Sequence, residues 1–256
     1  MKKMFLQIVP AVLLLLCSCR SASSQQQGPG YELPATTSSD KVVTHVGYTV
    51  SYDCQRLVPK WVAYELTKAE TEGTVPRKGN DFWDRDPDMD CRQAHYKDYS
   101  GTLWDRGHMA PAGDMKWSVE AMRQSFLLTN CCPQNRQLNS NSWEATESLG
   151  RRLARHFGKV WIVCGPVFYN NQYGTIGRNN VAVPDAFFKA FLVEYGGKYS
   201  AMGLIMYNIP EQQDIKECSM SVDELEATIG IDLFHSLPDD VEEDAENHLE
   251  GLWWRI

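Results

Sequence analysis

Asp105-Arg106-Gly107-His108 puts a carboxylate, a guanidinium and an imidazole within four residues, followed directly by Met109-Ala110-Pro111. A neutral imidazole, with an ordinary pKa of about 6.5, can take a proton from water near neutral pH. The neighbouring guanidinium can grip a phosphate through parallel N–H donors. A glycine between them lets the backbone turn or approach a ligand closely. On its own the tetrapeptide also fits a turn carrying a surface histidine. Residues further along the chain add chemistry: Asn130, Gln134, Asn139, Trp143, Glu147 and Arg151 bring amide and carboxylate oxygens and a further guanidinium. Oxygen donors of this kind suit a hard divalent cation.

These side chains need elements to hold them. Trp143, Leu149, Leu153 and Phe157 recur at helical spacing, and Gly158 is placed to stop the turn, which predicts a helix over 142–157. Asn139, Trp143, Glu147 and Arg151 then read as an i, i+4 ladder drifting about 40° per rung. The plainer readings are Asn139 as a helix N-cap and Glu147 with Arg151 as an ion pair worth about 0.3–0.5 kcal/mol. Residues 119–127 and 221–228 also read as helices. The β-branched and aromatic stretches 42–52, 61–66, 160–164, 187–195 and 201–207 read as strands, and 73–98 as a loop. Strands and helices interleave unevenly, which favours an α+β fold over a doubly wound one.

With these residues in place, the chain resembles the DNA/RNA non-specific endonucleases of the ββα-metal type. The family signature is D-R-G-H followed by a hydrophobic residue, Ala and Pro, as in Asp105 to Pro111, with an Asn about thirty residues on and a helix bearing Glu and Arg. Arg77, Phe82 and Asp84 fit its upstream Arg, aromatic and Asp; Val183-Pro184, Lys189 and Leu237-Pro238-Asp239 fit downstream. The resemblance runs over residues 42–246. It implies a single-domain α+β fold, with a central, mostly antiparallel sheet flanked by helices, and hydrolysis of DNA and RNA phosphodiesters to 5′-phosphate and 3′-hydroxyl ends. It further implies His108 as general base and Asn139 as direct ligand of Mg²⁺ or another divalent ion such as Mn²⁺. Glu147 and Asp105 would accept hydrogen bonds from metal-bound waters, and Asn130 would orient that shell. Arg77 would neutralise the pentavalent transition state, with Arg106 and Arg151 supporting it or binding neighbouring phosphates. The alternative is a non-catalytic lipoprotein that binds nucleic acid through the same cleft, which would need a missing base or ligand. An inhibitor protein is conceivable, but no residue identifies one.

The 256 residues, 43% hydrophobic with eight Trp, eleven Tyr and nine Phe, exclude disorder as the main state. A net charge of -8 argues against coating nucleic acid by bulk attraction. That charge is uneven. Residues 211–250 hold fourteen acids and one Lys, whereas residues 77–159 hold thirteen basic and eleven acidic residues. The acidic part reads as a solvated face.

Lys2 and Lys3 followed by the apolar run 4–16 give the head and middle of an export signal. Leu16-Cys17-Ser18-Cys19 resembles a lipobox with Cys19 as the anchor; an ordinary cleaved signal ending near Ala22 or Ser24 is the alternative. The expected product is exported: a periplasmic or cell-surface lipoprotein, or a secreted chain. Residues 1–19 are thus signal, 20–40 a flexible tether of Ser, Gln, Gly, Pro and Thr, and 41–256 one domain. Cys54, Cys91, Cys131, Cys132, Cys164 and Cys218 remain, an even set that export would oxidise, with Cys131 and Cys132 seeking different partners. A zinc site lacks any C-x-x-C pair. The alternating acids Asp84, Asp86, Asp88 and Asp90 lack the Gly and Glu of a calcium loop, because Met89 and His95 stand there. A Cys–His nucleophile pair competes with oxidation of the same cysteines.

Overall fold

A computed structural model describes residues 30–247 and residue 249. The expected signal segment 1–19, the tether as far as residue 29 and Glu250 lie outside them.

Eleven strands are found among the described residues: β1 (Lys41–Thr44), β2 (Thr49–Asp53), β3 (Val58–Thr67), β4 (Trp104–His108), β5 (Cys131–Asn135), β6 (Lys159–Val167), β7 (Thr175–Ile176), β8 (Val181–Ala182), β9 (Ala186–Tyr195), β10 (Lys198–Tyr207) and β11 (Ser219–Met220). The α-helices are α1 (Val119–Gln124), α2 (Arg136–Ser140), α3 (Ser142–Phe157), α4 (Ile215–Cys218), α5 (Val222–Ile229) and α6 (Asp239–Glu246). Seven strands form an antiparallel sheet in the order β1-β2-β3-β6-β9-β10-β11. The fold is α+β.

The sheet's central strands alternate between two cores, because successive side chains leave a strand on opposite faces. On one face Ile162, Phe187, Phe191, Met202 and Leu204 pack with Met109, Trp143 and Leu153. On the other, Trp161, Phe188, Leu192 and Ile205 pack with Val222, Leu225, Phe234 and Ala245. The first face therefore carries the D-R-G-H strand and α3, and the second carries α5 and α6. Gly158 caps α3 in the left-handed conformation at φ 89°, where it has no Cβ to clash.

Three expectations change. The segment 42–52 is a hairpin, not one strand: at its corner the His45 amide donates to the Tyr48 carbonyl, and a Cβ on Gly47 would stand 2.4 Å from Met115 Sδ. The part of the tether from residue 30 to 34 is packed, whereas residues 35–39 are exposed. Tyr31 stacks edge-on against Trp161 and Tyr199, Leu33 joins the second core, and the Ala35 amide donates to Asp232 O. Two apolar anchors in a polar stretch are enough to dock it. Among the described cysteines, only Cys54 and Cys91 pair. Cys131, Cys132, Cys164 and Cys218 are free thiols. Cys131 and Cys132 are fully buried side by side in β5, and burial pushes the Cys131 thiol up to about 12. A thiol held protonated in this way is no nucleophile.

Candidate active site

Strand β4 lies apart from the main sheet and pairs antiparallel with β5, setting Asp105 opposite Gln134, Gly107 opposite Cys132 and His108 opposite Cys131. Glycine is required at 107 by space: a Cβ there would stand 2.1 Å from Gln134 Oε1. Beyond the ribbon, the buried Asn130 amide is fully used. It accepts from Ala110 N at 2.8 Å and donates to the carbonyls of Ala110 and Ser125. Its observed work is to fix the backbone after His108. Asn208 holds the other end, accepting from Asn135 N and donating to the carbonyls of Pro133 and Pro184.

The His108 ring is wedged between Trp83, 4.7 Å between centroids, and Phe126, 4.8 Å away and nearly perpendicular. Its Nε2 is buried and has no hydrogen-bond partner among the described residues. Two cations sit on the same aromatic walls, Arg77 over Phe126 at 5.1 Å and Arg106 over Trp83 at 5.7 Å. Burial, reinforced by the Arg77 charge, pushes the His108 pKa down to about 3. The imidazole is therefore neutral across the physiological range.

Helix α3 is tied to this strand by Trp143, whose Nε1 donates to the His108 carbonyl at 3.2 Å. Glu147 follows one turn later and accepts no hydrogen bond from the described residues. Burial pushes its carboxyl up to about 7, while the Lys189 ammonium opposes the rise and Asp114 adds to it. Lys189 is itself fully buried in β9, its Nζ 4.1 Å from the centre of the Trp143 ring and without a hydrogen bond among the described residues. Asn139 lies in α2, its Nδ2 donating to Asp105 Oδ2 at 3.3 Å; Arg136 donates to the other Asp105 oxygen at 3.2 Å. That hydrogen bond leaves the Asn139 carbonyl oxygen as a free donor to a cation.

The structure thus gathers Arg77, Arg106 and His108 around one aromatic wedge and links Asn139 to Asp105. Other expectations are corrected. The ladder from Asn139 to Arg151 is broken, because Asn141 (φ -126°, ψ -87°) separates α2 from α3, and the N-cap position of α3 is held by Asn141 rather than Asn139, which lies inside α2. Arg151 does not pair with Glu147. It bonds Asp114 at 2.8 Å, Ser148 at 2.9 Å and Glu144 at 3.3 Å, and the fully buried Asp114 also accepts from Tyr64. Arg151 is thereby held to a carboxylate from the loop after β4. The aromatic beside the histidine is Trp83, whereas Phe82 is 74% exposed. A separate group, His45, Asp86 and Asp88, also brings ligand-type atoms together. There Asp86 is already engaged by His45 Nε2, Thr129 Oγ1 and Asp88 N.

The family model described as DNA/RNA non-specific endonuclease matches residues 26–240. The chain belongs to that family. Nuclease EXOG, mitochondrial, of Xenopus laevis is 33% identical over 211 residues, covering 77% of this chain and 59% of that protein. Endonuclease G, mitochondrial, of Bos taurus is 33% identical over 202 residues, covering 73% of this chain and 67% of that protein. A crystal structure of the EndoG/EndoGI complex, which concerns the mechanism of EndoG inhibition, superposes with a TM-score of 0.75 at 26% identity, covering 82% of this chain and 91% of that one. The chain spans about three-fifths of the length of the EXOG relatives it matches. In this endonuclease-family chain the sequence reading missed Trp83, Phe126, Asp114 and Asn208. Only Trp83, next to an aromatic already singled out, carried a usable signal.

Proposed function

We propose that this chain is a metal-dependent endonuclease that hydrolyses phosphodiester bonds of DNA and RNA without sequence preference. The observation that carries the reading is the neutral His108 held between Trp83 and Phe126, with the Arg77 and Arg106 guanidiniums on those same two rings. His108 accepts the proton of a water as that water attacks phosphorus. The bond from phosphorus to the 3′ oxygen breaks, its electron pair stays on that oxygen, which takes a proton from a water molecule, and the products are a 5′-phosphate and a 3′-hydroxyl. Arg77 and Arg106 bind the phosphate oxygens and offset the charge that builds in the transition state. An approaching phosphate also counters the Arg77 charge, raising the basicity of His108 when it is needed.

The donor set fits a hard cation. Asn139 offers a free carbonyl oxygen, and Glu147 is a carboxylate without hydrogen bonds whose burial calls for a positive neighbour. Asn139 would hold Mg²⁺, or Mn²⁺, with Glu147 and Asp105 accepting from its waters. When bound, the ion supplies charge neutralisation at the phosphate and at the leaving oxygen. Trp143 and Asp114 position α3, Trp143 through the His108 carbonyl and Asp114 through Arg151.

Export with lipidation at Cys19 belongs to the same proposal. The charged head and apolar run before Cys19 support it, as does the Cys54–Cys91 disulfide, a bond favoured in oxidising compartments.

The test mixes the purified chain with supercoiled plasmid and with single-stranded RNA, in Mg²⁺ and in EDTA, beside His108→Ala. Expected are degradation of both polymers in Mg²⁺, none in EDTA and none by the variant. Folded wild type that cleaves neither polymer in any divalent metal overturns the proposal, and salt-sensitive binding by the same samples would then mark a non-catalytic nucleic-acid binder.

A further inference from the structure

Behind the sheet, on the face away from His108, α5 and α6 bring carboxylates together. Oxygens of Asp223, Glu226 and Glu246 lie within 4.8 Å of one another. Asp223 and Glu226 stand at i, i+3 on α5 and so share one side of that helix. Glu246 comes from the last turn of α6. It is 3% exposed, and its Oε1 is buried without a hydrogen-bond partner among the described residues. The strongest charges acting on it are Glu226, Glu242, Asp223 and Asp232, all of its own sign. One Glu226 oxygen accepts from the Leu233 amide.

A buried carboxylate normally has a counter-charge or hydrogen-bond donors, because desolvating it uncompensated costs several kcal/mol. Glu246 has neither among the described residues. Calcium binds six to eight oxygens at about 2.3–2.6 Å and accepts bidentate carboxylates. Two oxygens on opposite sides of such an ion are separated by about 4.8 Å. The oxygens of Asp223, Glu226 and Glu246 lie within that separation of one another.

We propose that Asp223, Glu226 and Glu246 form a binding site for a hard divalent cation of the Ca²⁺ class, which ties α5 to α6 on the back of the sheet. The site is structural and separate from the phosphodiester chemistry. Its helices pack through Val222, Leu225 and Ala245 into the second core, whereas Met109 and Trp143 belong to the first. It does not depend on the function proposed above.

The experiment uses the full chain carrying Asn139→Ala, so that the site proposed at the catalytic face does not contribute. Ca²⁺ alone is titrated by calorimetry and followed by thermal unfolding, with and without Glu246→Gln. Expected are one Ca²⁺ bound per chain at or below about 1 mM and a rise in melting temperature with Ca²⁺. Adding Glu246→Gln should abolish both Ca²⁺ effects. If that variant does not fold, Asp223→Asn on the exposed side of the cluster should weaken binding at least about tenfold. No Ca²⁺ binding at about 10 mM, far above the range of extracellular calcium modules, overturns the proposal. So does binding, or a melting shift, unchanged by Glu246→Gln or, where that variant does not fold, by Asp223→Asn.

Discussion

The indole of Trp143 donates its N–H to the backbone carbonyl of His108, 3.2 Å away and 35 residues earlier in the chain. Through this bond the helix carrying Glu147 is held against the strand that ends in the proposed base. Replacing Trp143 by Phe keeps an aromatic ring but leaves the His108 carbonyl unpaired and removes the indole face from Lys189. The expected cost is about 1–3 kcal/mol in urea unfolding. Turnover should fall more than substrate affinity, since the bond orients the reacting strand rather than the phosphate. Steady-state kinetics with unchanged kcat would show that the bond does not position His108.

Gly107 faces Gln134 so closely that no side chain fits. Gly107→Ala is expected to lose about 1–3 kcal/mol through overpacking and to lower activity by displacing the strand. Trimming the opposing side chain in the double variant Gly107→Ala/Gln134→Ala should recover part of both losses. Strictly additive losses in the two single variants and the double variant would mean that contact with Gln134 is not the cause.

His108 supplies a pH signature. Its folded-state pKa is depressed to about 3 from an ordinary value near 6.5, so between those values the unfolded chain binds a proton that the folded chain does not. The stability linked to this group is fully present above about 6.5 and is lost as pH falls toward 3. In metal-free buffer, unfolding of the wild type and of His108→Gln should diverge with pH only inside that window. A stability difference that stays constant with pH would contradict a neutral, buried imidazole.

The Cys54–Cys91 disulfide closes a loop of 37 residues. Loop-closure entropy predicts that Cys54→Ser lowers unfolding stability by about 4 kcal/mol. The four remaining cysteines of the described chain are free, three of them fully buried, so alkylation of native protein without reductant should modify at most Cys218 among them, while denatured protein should expose all four. Native protein that shows no difference in stability with or without reductant would argue that the bridge does not form in solution.

Local patterns made much of this molecule legible. The apolar spacing of Trp143, Leu149, Leu153 and Phe157 and the stop at Gly158 mark α3 at its observed bounds. The β-branched stretches mark the long strands, because alternating burial on two sheet faces leaves a mark on neighbouring residues. The D-R-G-H segment stands out by residue type, and the family resemblance adds Asn139 to it.

Relations between distant segments were not legible. Arg151 chose Asp114, 37 residues away, over Glu147 on its own helix, because the folded chain brings that buried carboxylate within hydrogen-bond reach of the guanidinium. Asn130 spent its amide on the Ala110 and Ser125 backbone once the turn after His108 had closed around it. Four cysteines stayed unpaired, since pairing depends on Cα separation and direction, which composition does not encode. Residue types and local periodicity thus determined by themselves the fold class and the helix bearing Glu147, and the sequence resemblance to the family pointed to the proposed base. The tertiary structure alone decided how strongly burial and Arg77 depress that base, which rings enclose it and which carboxylates meet behind the sheet. Burial and long-range electrostatics depend on where the chain returns in space, and sequence spacing does not specify that return.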